Sequence, residues 1–380
     1  MRVTSLIVLS HALIGGSGFG VFAVPTVGGT RDCIISDRDD VLLLDAPGFP
    51  DPKNAQHTLA GFQSYVFERQ MDIKPVVDQV TKLFSMMGID IGNKSEMVTQ
   101  RLKLFAAKGE EGKTVELEVD ECHKHVAMAE TARNPTAGSM LRNASIGHCG
   151  SAQLAEAKVV LTPKDNRSIS ANVFISPNEG FGVISDIDDT VKVTEVLNTV
   201  AALKNTFLED PKPVPGMPEL YASLSKSLDS PPFVYISGSM VQLYPFLRGF
   251  INSAYSESNG AIFLQNFTFV DITSVISFLA GGDILDYKLS VIDNIHGMYP
   301  NKKFLAVGDS TQKDPETYAK AFLKYSDFIS CTWIRLVDGA NNTAERFEAA
   351  FQGVPPDRFR LFNDTGISSL RNINVARGDC

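Results

Sequence analysis

Cysteine is scarce in this 380-residue chain: there are five, Cys33, Cys122, Cys149, Cys331 and Cys380, and no two form a Cys-x-x-Cys pair. That spacing argues against a zinc ribbon and against thioredoxin-like redox chemistry. Positive charge is also short. Lys and Arg total 35 against 44 Asp and Glu, a net charge of −9; phosphate backbones repel such a surface, so no nucleic-acid partner is expected. Long apolar runs are missing as well. The stretch Leu6–Leu9 is soon interrupted by His11 and Gly15-Gly16, too early to span a bilayer core of about 30 Å. Ala261 to Leu279 is broken by Gln265, Asn266 and Asp271 and reads as core. There is no internal repeat or low-complexity segment. No Gly-x-Ser-x-Gly elbow surrounds Ser237, which sets aside a serine hydrolase of that type. With 44% hydrophobic and 21% charged residues, the composition excludes a disordered acidic tail, a collagen-like fibre and a multi-span membrane protein.

The length itself exceeds one ordinary domain. Arg2, the short apolar stretch after it and the small-residue exit Val21-Phe22-Ala23 predict a secretory signal peptide over residues 1–23. The expected location is therefore secreted or the lumen of the secretory pathway. Glycosylation sequons at Asn93, Asn143, Asn166, Asn266, Asn341 and Asn363 agree with a glycoprotein. In an oxidising compartment the five cysteines would form two bridges and leave one thiol, with the pairing open. The run Cys122-His123-Lys124-His125 follows the alternating Val115–Val119 and is read as strand rather than metal ligands.

Two regions differ in rhythm. Residues 24–178 form an expected helical and β-rich N-terminal domain. Helix-period apolar positions fall within 58–108 (Val76, Val77, Val80, Leu83, Phe84; then Val98, Leu102, Phe105), and alternating runs follow at Thr114–Val119, Ala157–Leu161 and Ile169–Ile175. From about residue 179 to 380, apolar strands alternate with helices. Strands are expected at Gly182–Ser185, Phe233–Ser237, Ala261–Leu264, Lys303–Val307 and Phe328–Ile334, and helices at Pro218–Ser227, Val241–Ile251 and Pro315–Lys324. This alternation predicts an α/β domain: a Rossmann-like parallel sheet with helices on both faces and ligands at the carboxyl ends of its strands. The tail beyond Phe351 is expected to pack on that sheet through Phe359, Leu361 and Phe362.

Chemistry concentrates after the first strand of this second region, in Ser185-Asp186-Ile187-Asp188-Asp189-Thr190. Crowded carboxylates at the mouth of a sheet need a cation. A calcium loop would require Gly and Glu where Val191 and Leu197 stand. Further along come Ser237 at the end of a strand, Lys288 in Tyr287-Lys288-Leu289, and Gly308-Asp309 followed by Asp314. Nearby, Asp189 is read as a solvated or helix-capping carboxylate. Lys192 and Lys313 are read as surface lysines, His296 as a surface or helix-end residue, and Ser239 as either a cap or a phosphate contact.

These four motifs, in this order, resemble those of the haloacid dehalogenase superfamily of phosphohydrolases. The resemblance implies Asp186 as nucleophile forming an aspartyl-phosphate and Asp188 as general acid and base. It implies Thr190, Ser237 and Lys288 as phosphate-binding groups, and a Mg²⁺ held by Asp186, Asp188, Asp309 and Asp314. Longer strings are similar to the catalytic domain of the actin-patch-associated phosphatidate phosphatase family. They are Gly182–Val196, Val214–Met217 with Glu219-Leu220-Tyr221, Gln242-Leu243-Tyr244, Tyr287-Lys288, and Gly308-Asp309-Ser310 with Lys313–Glu316. That similarity implies Mg²⁺-dependent hydrolysis of phosphatidate to diacylglycerol and phosphate, with peripheral membrane contact and no predicted protein partner. Two places depart from the family pattern: Met240-Val241 stands for Pro-Trp, and Thr311-Gln312 for Gly-Glu. The alternatives are a phosphatase for a soluble phosphate monoester and a non-catalytic secreted binding protein on the same fold.

Overall fold

The computed structural model describes residues 35–133, 138–265, 284–325 and 327–380. The expected signal segment, Cys33, Asn266 and most of the Ala261–Leu279 stretch lie outside the described residues.

The first sheet is built from β1 (Asp39–Leu43), β2 (Ala46–Asp51), β3 (Asn54–Glu68), β4 (Thr114–Val119), β5 (Lys124–Glu130), β6 (Ser139–Gly147), β7 (Leu154–Val159) and β8 (Ser170–Ile175). It is mixed: β2 and β8 run parallel, whereas the other pairs are antiparallel. Helices α1 (Lys74–Met86) and α2 (Ser95–Leu102) interrupt it, where the apolar spacing changes from two to 3.6 residues. The expected helical region starts too early. Residues 58–68 are strand, with Ala60, Phe62, Ser64 and Val66 buried on one face. The run expected as strand is a turn through Cys122 and His123, where Cys122 is bonded to Cys149, and β5 begins only at Lys124.

The second sheet contains β9 (Phe181–Asp186), β10 (Phe233–Met240), β11 (Gly260–Gln265), β12 (Lys303–Asp309), β13 (Ile329–Arg335) and β14 (Phe359–Phe362). Its order is β11-β10-β9-β12-β13-β14, and every pairing is parallel. Each buried strand feeds two cores by alternation. Val183, Tyr235 and Leu305 pack with α3 (Thr199–Phe207), α4 (Met217–Ser227) and α5 (Tyr244–Ala254) on one face. Ile184, Ile236 and Ala306 pack with α6 (Ile284–Met298), α7 (Asp314–Lys324) and α8 (Ala344–Ala350) on the other. The tail supplies β14 and a short α9 (Ile367–Leu370), and Cys380 is bonded to Cys331 on β13.

The chain builds outward from β9 in both directions, to β10 and β11 on one side and to β12, β13 and β14 on the other. The carboxyl ends of β9, β10 and β12 therefore meet where the winding reverses, the usual place for a ligand in such a sheet.

Candidate active site

Asp186 is the last residue of β9, and Ile236 of β10 pairs beside it. On the other flank Val307 of β12 pairs with Ser185, so Asp309 emerges next to Asp186. Lys288 reaches in from α6 and Asp314 opens α7. Gly308 makes room for Asp314, because a Cβ there would stand 2.4 Å from its Oδ2. All four side chains are buried.

Lys288 Nζ donates to Asp186 Oδ1 at 2.6 Å and also to Asp314 Oδ1. Asp314 Oδ2 accepts from the Asp309 backbone N–H at 3.2 Å. Asp309 takes Thr190 Oγ1 on Oδ2 at 3.0 Å and the Thr311 backbone N–H on Oδ1 at 2.5 Å. Asp186 Oδ2 is different: it is buried and has no hydrogen-bond partner among the described residues. Of the six carboxylate oxygens on these three aspartates it alone lacks a donor among the described residues.

The electrostatics follow. Burial pushes the Asp186 carboxyl well up, against the pull of Lys288, and Asp314 and Asp309 push it further. Burial and the charge of Asp314 bring Asp309 up to about 7. Lys288 goes up despite burial, because Asp186 and Asp314 favour the ammonium. Three carboxylates thus share one ammonium, and each offers an oxygen within 4.8 Å of the others'. The donor set is hard oxygen, the unpartnered Asp186 Oδ2 is among it, and the charge is short of balance. The residues fit a hard divalent cation.

Asp188 occupies a separate cradle. Its Oδ2 accepts from Ser237 Oγ at 2.7 Å and Ser239 Oγ at 3.1 Å. Its Oδ1 accepts from Thr194 Oγ1 at 2.8 Å and pairs with Lys192 Nζ at 3.2 Å. Burial would raise this carboxyl, but the Lys192 charge and the hydroxyl donors outweigh it and hold it below the ordinary range.

The structure brings Asp186, Lys288, Asp309 and Asp314 together in one cluster, with Thr190 directed at Asp309 and Ser237 at Asp188. Several neighbours differ from their expected places. Asp189 is neither solvated nor a helix cap. It is buried at a φ of 60°, and its carboxylate accepts the backbone N–H groups of Thr194, Glu195 and Val196 at 2.7–2.8 Å, ahead of α3. Lys192 is fully buried rather than on the surface. The Ser239 hydroxyl goes to Asp188, and its N–H to Ser237 Oγ at 2.9 Å. His296, by contrast, lies in the last turn of α6, the helix-end place expected for it, and stacks on Tyr325 at 3.9 Å between ring centroids. Thr194 was not singled out from sequence, although it lies six residues after Asp188; Thr311, noted only as a departure from the family pattern, supplies its N–H to Asp309. A narrow apolar crevice beside Asp188 is lined by Phe105, Val196, Phe207, Met240 and Leu243, with Gln312 at its edge. Met240 and Gln312 belong to the two places where the sequence departs from the family pattern.

Residues 181–336 match the family model described as the catalytic domain of phosphatidate phosphatase APP1. Over those residues the chain is similar to that family. Phosphatidate phosphatase APP1 of Saccharomyces cerevisiae is 32% identical over 165 residues, which is 43% of this chain and 27% of the yeast protein. The chain thus matches little more than a quarter of that relative's length. The matched segment contains β9 to β13, Lys288 and every aspartate of the cluster.

Proposed function

We propose that the chain is a Mg²⁺-dependent phosphatidate phosphatase on a haloacid dehalogenase-like domain, working through an aspartyl-phosphate on Asp186. The observation that carries the reading is the convergence of Asp186, Lys288, Asp309 and Asp314 at the switch point of the sheet, with Asp188 two residues past the nucleophile. The match to an APP1 catalytic domain supports phosphatidate as substrate.

In this reading Asp186 attacks phosphorus. Its O–P bond forms as the bond to the glyceride oxygen breaks, and Asp188 gives that oxygen a proton. Water then attacks the acyl-phosphate phosphorus and yields its proton to Asp188, releasing phosphate and Asp186. Ser237 and Lys288 bind the phosphoryl oxygens. Asp188, held below the ordinary range at rest, takes up the proton it later donates from the arriving monoester monoanion or from solvent. An arriving phosphate adds negative charge beside it and competes for the Ser237 hydroxyl, and both raise its proton affinity. Mg²⁺ would be held by Asp186, Asp309, Asp314 and the Asp188 main-chain carbonyl, and it supplies charge neutralisation at the phosphoryl oxygens. Thr190 supports this set by holding Asp309.

The two disulfides support an oxidising location, the secretory lumen or outside the cell. The sequon asparagines at 93, 143, 166, 341 and 363 are all exposed, as glycan acceptors must be. The test is phosphate release from dioctanoyl phosphatidate in micelles and from a soluble aryl phosphate, with Mg²⁺ or with chelator. Metal-dependent turnover favouring the lipid is expected. Turnover of the aryl ester alone replaces phosphatidate with a soluble monoester, and silence on both contradicts the enzyme.

A further inference from the structure

Lys192 is a buried lysine with no part in the four motifs. Its position comes from a closed turn. The backbone N–H of Lys192 donates to Ile187 O at 2.9 Å, and the N–H of Asp189 returns to Lys192 O at 2.7 Å. That closure swings the side chain back over the turn, so Nζ meets Asp188 Oδ1 at 3.2 Å and Thr194 Oγ1 at 2.5 Å. Thr194 in turn donates to the same Asp188 oxygen at 2.8 Å. Ammonium, hydroxyl and carboxylate form a closed triangle.

The apolar side of the ammonium is covered from elsewhere in the chain. Nζ lies 5.9 Å from the centroid of the Phe246 ring on α5. The Arg101 guanidinium from α2 lies over the same ring at 4.3 Å and donates to Thr206 O at 2.9 Å. An ammonium taken out of water is tolerated only with a carboxylate partner and further donors or π density around it. The opposite oxygen, Asp188 Oδ2, faces Ser237 and Ser239 instead. The carboxylate therefore has one oxygen tied to the protein interior and one directed to the strand end that carries Ser237.

We infer that Lys192 is a positioning residue for Asp188: its ammonium, backed by Phe246, fixes the carboxylate so that Oδ2 is the oxygen presented to the leaving group and to water. The inference rests on the phosphatase reading given above. Lys192 itself touches neither the cluster of Asp186, Asp309 and Asp314 nor Lys288 in any hydrogen bond or ion pair among the described residues. Its loss would therefore act on the proton-transfer geometry and leave phosphate binding in place.

The test uses the full chain, wild type, Lys192→Met and Lys192→Ala, with steady-state phosphate release from phosphatidate micelles in Mg²⁺ and thermal melting as the fold control. Lys192→Met keeps the packing against Phe246 and removes the charge. Its kcat should fall by about ten- to a hundredfold, the scale of a misaligned catalytic group, with KM within about threefold. Lys192→Ala should recover at least about fivefold in kcat with n-propylammonium and nothing with 1-propanol, which fills the same space without charge. A structural role alone would not make recovery depend on charge. A folded Lys192→Met with wild-type kcat overturns the inference, as does a folded Lys192→Ala that both additives treat alike. If Lys192→Met does not fold, the alanine variant with and without amine decides. No turnover by the wild type would overturn the phosphatase reading and this inference with it, whereas an active wild type beside an equally active Lys192→Met overturns the inference alone.

Discussion

Thr190 donates its hydroxyl to Asp309 Oδ2 at 3.0 Å, tying the loop after β9 to the end of β12. Both residues are buried, so this single bond holds one wall of the acidic cluster in place. Thr190→Val keeps the shape and leaves a buried carboxylate oxygen without a donor, at a cost of about 1–3 kcal/mol. Urea unfolding of wild type, Thr190→Val and Thr190→Ser should show the loss in valine and its recovery in serine.

The acidic cluster predicts that a divalent cation stabilises the fold independently of turnover. Without a cation, Asp309 titrates at about 7, raised first by burial and then by Asp314. A carboxyl whose folded pKa lies above its unfolded value costs stability as pH rises through that interval, so the cation-free protein weakens from about pH 4 toward pH 8. Bound Mg²⁺ reverses this cost and competes with the proton. Mg²⁺ at a hundred times its Kd should stabilise by about 2.7 kcal/mol. The rise in Tm should be larger at pH 8 than at pH 6 and absent in Asp309→Asn, as scanning calorimetry would show.

A second titration lies far from the site. Hydrogen bonds from Arg167 bring Asp165 down to about 2, and the same guanidinium donates to Asp39 O at 2.8 Å and reaches Asp40. The folded pKa is below the unfolded one, so this stabilisation is present above about pH 4 and lost as pH falls toward 2. Asp165→Asn should lower Tm at pH 7, and the difference from wild type should shrink as the melting series approaches pH 2.

How far could the site be read from sequence? The ends of β9, β10 and β12 could be, because fully buried parallel strands are short apolar runs and each ends at a polar residue that breaks the run. The order of the motif residues then located Asp186, Asp188, Ser237, Lys288, Asp309 and Asp314. Lys192 could not be placed, since its burial depends on a turn closing back on Ile187 and on a ring from α5. Asp189 was missed for a similar reason: its three donors come from backbone that only converges once the 194–196 loop folds around it. In the first sheet, β3 was obscured by the helices that follow, although Ala60, Phe62 and Val66 alternate. The pairings Cys122–Cys149 and Cys331–Cys380 depend on which strands become neighbours, and spacing alone does not say.

The second of these bridges yields a stability prediction. Cys331 sits within β13, and the bridge closes a loop with a sequence separation of 49 residues that includes β14. By loop-closure entropy, Cys380→Ser should cost about 2–4 kcal/mol. Denaturant midpoints without reductant should show the loss in the variant, and in reductant, which also opens Cys122–Cys149, the two proteins should converge.

In the proposed reaction Asp186 carries the phosphoryl group. The direct measurement is acid-quenched labelling with a ³²P-labelled activated aryl phosphate, in wild type, Asp188→Asn and Asp186→Asn. An activated leaving group needs little help from the acid, whereas breakdown of the intermediate needs the base, so Asp188→Asn should accumulate label. The label should be released by hydroxylamine, map to the peptide containing Asp186 and be absent in Asp186→Asn. Label that resists hydroxylamine, maps elsewhere or persists in Asp186→Asn would contradict the account, as would turnover of the aryl ester with no labelled protein in any variant.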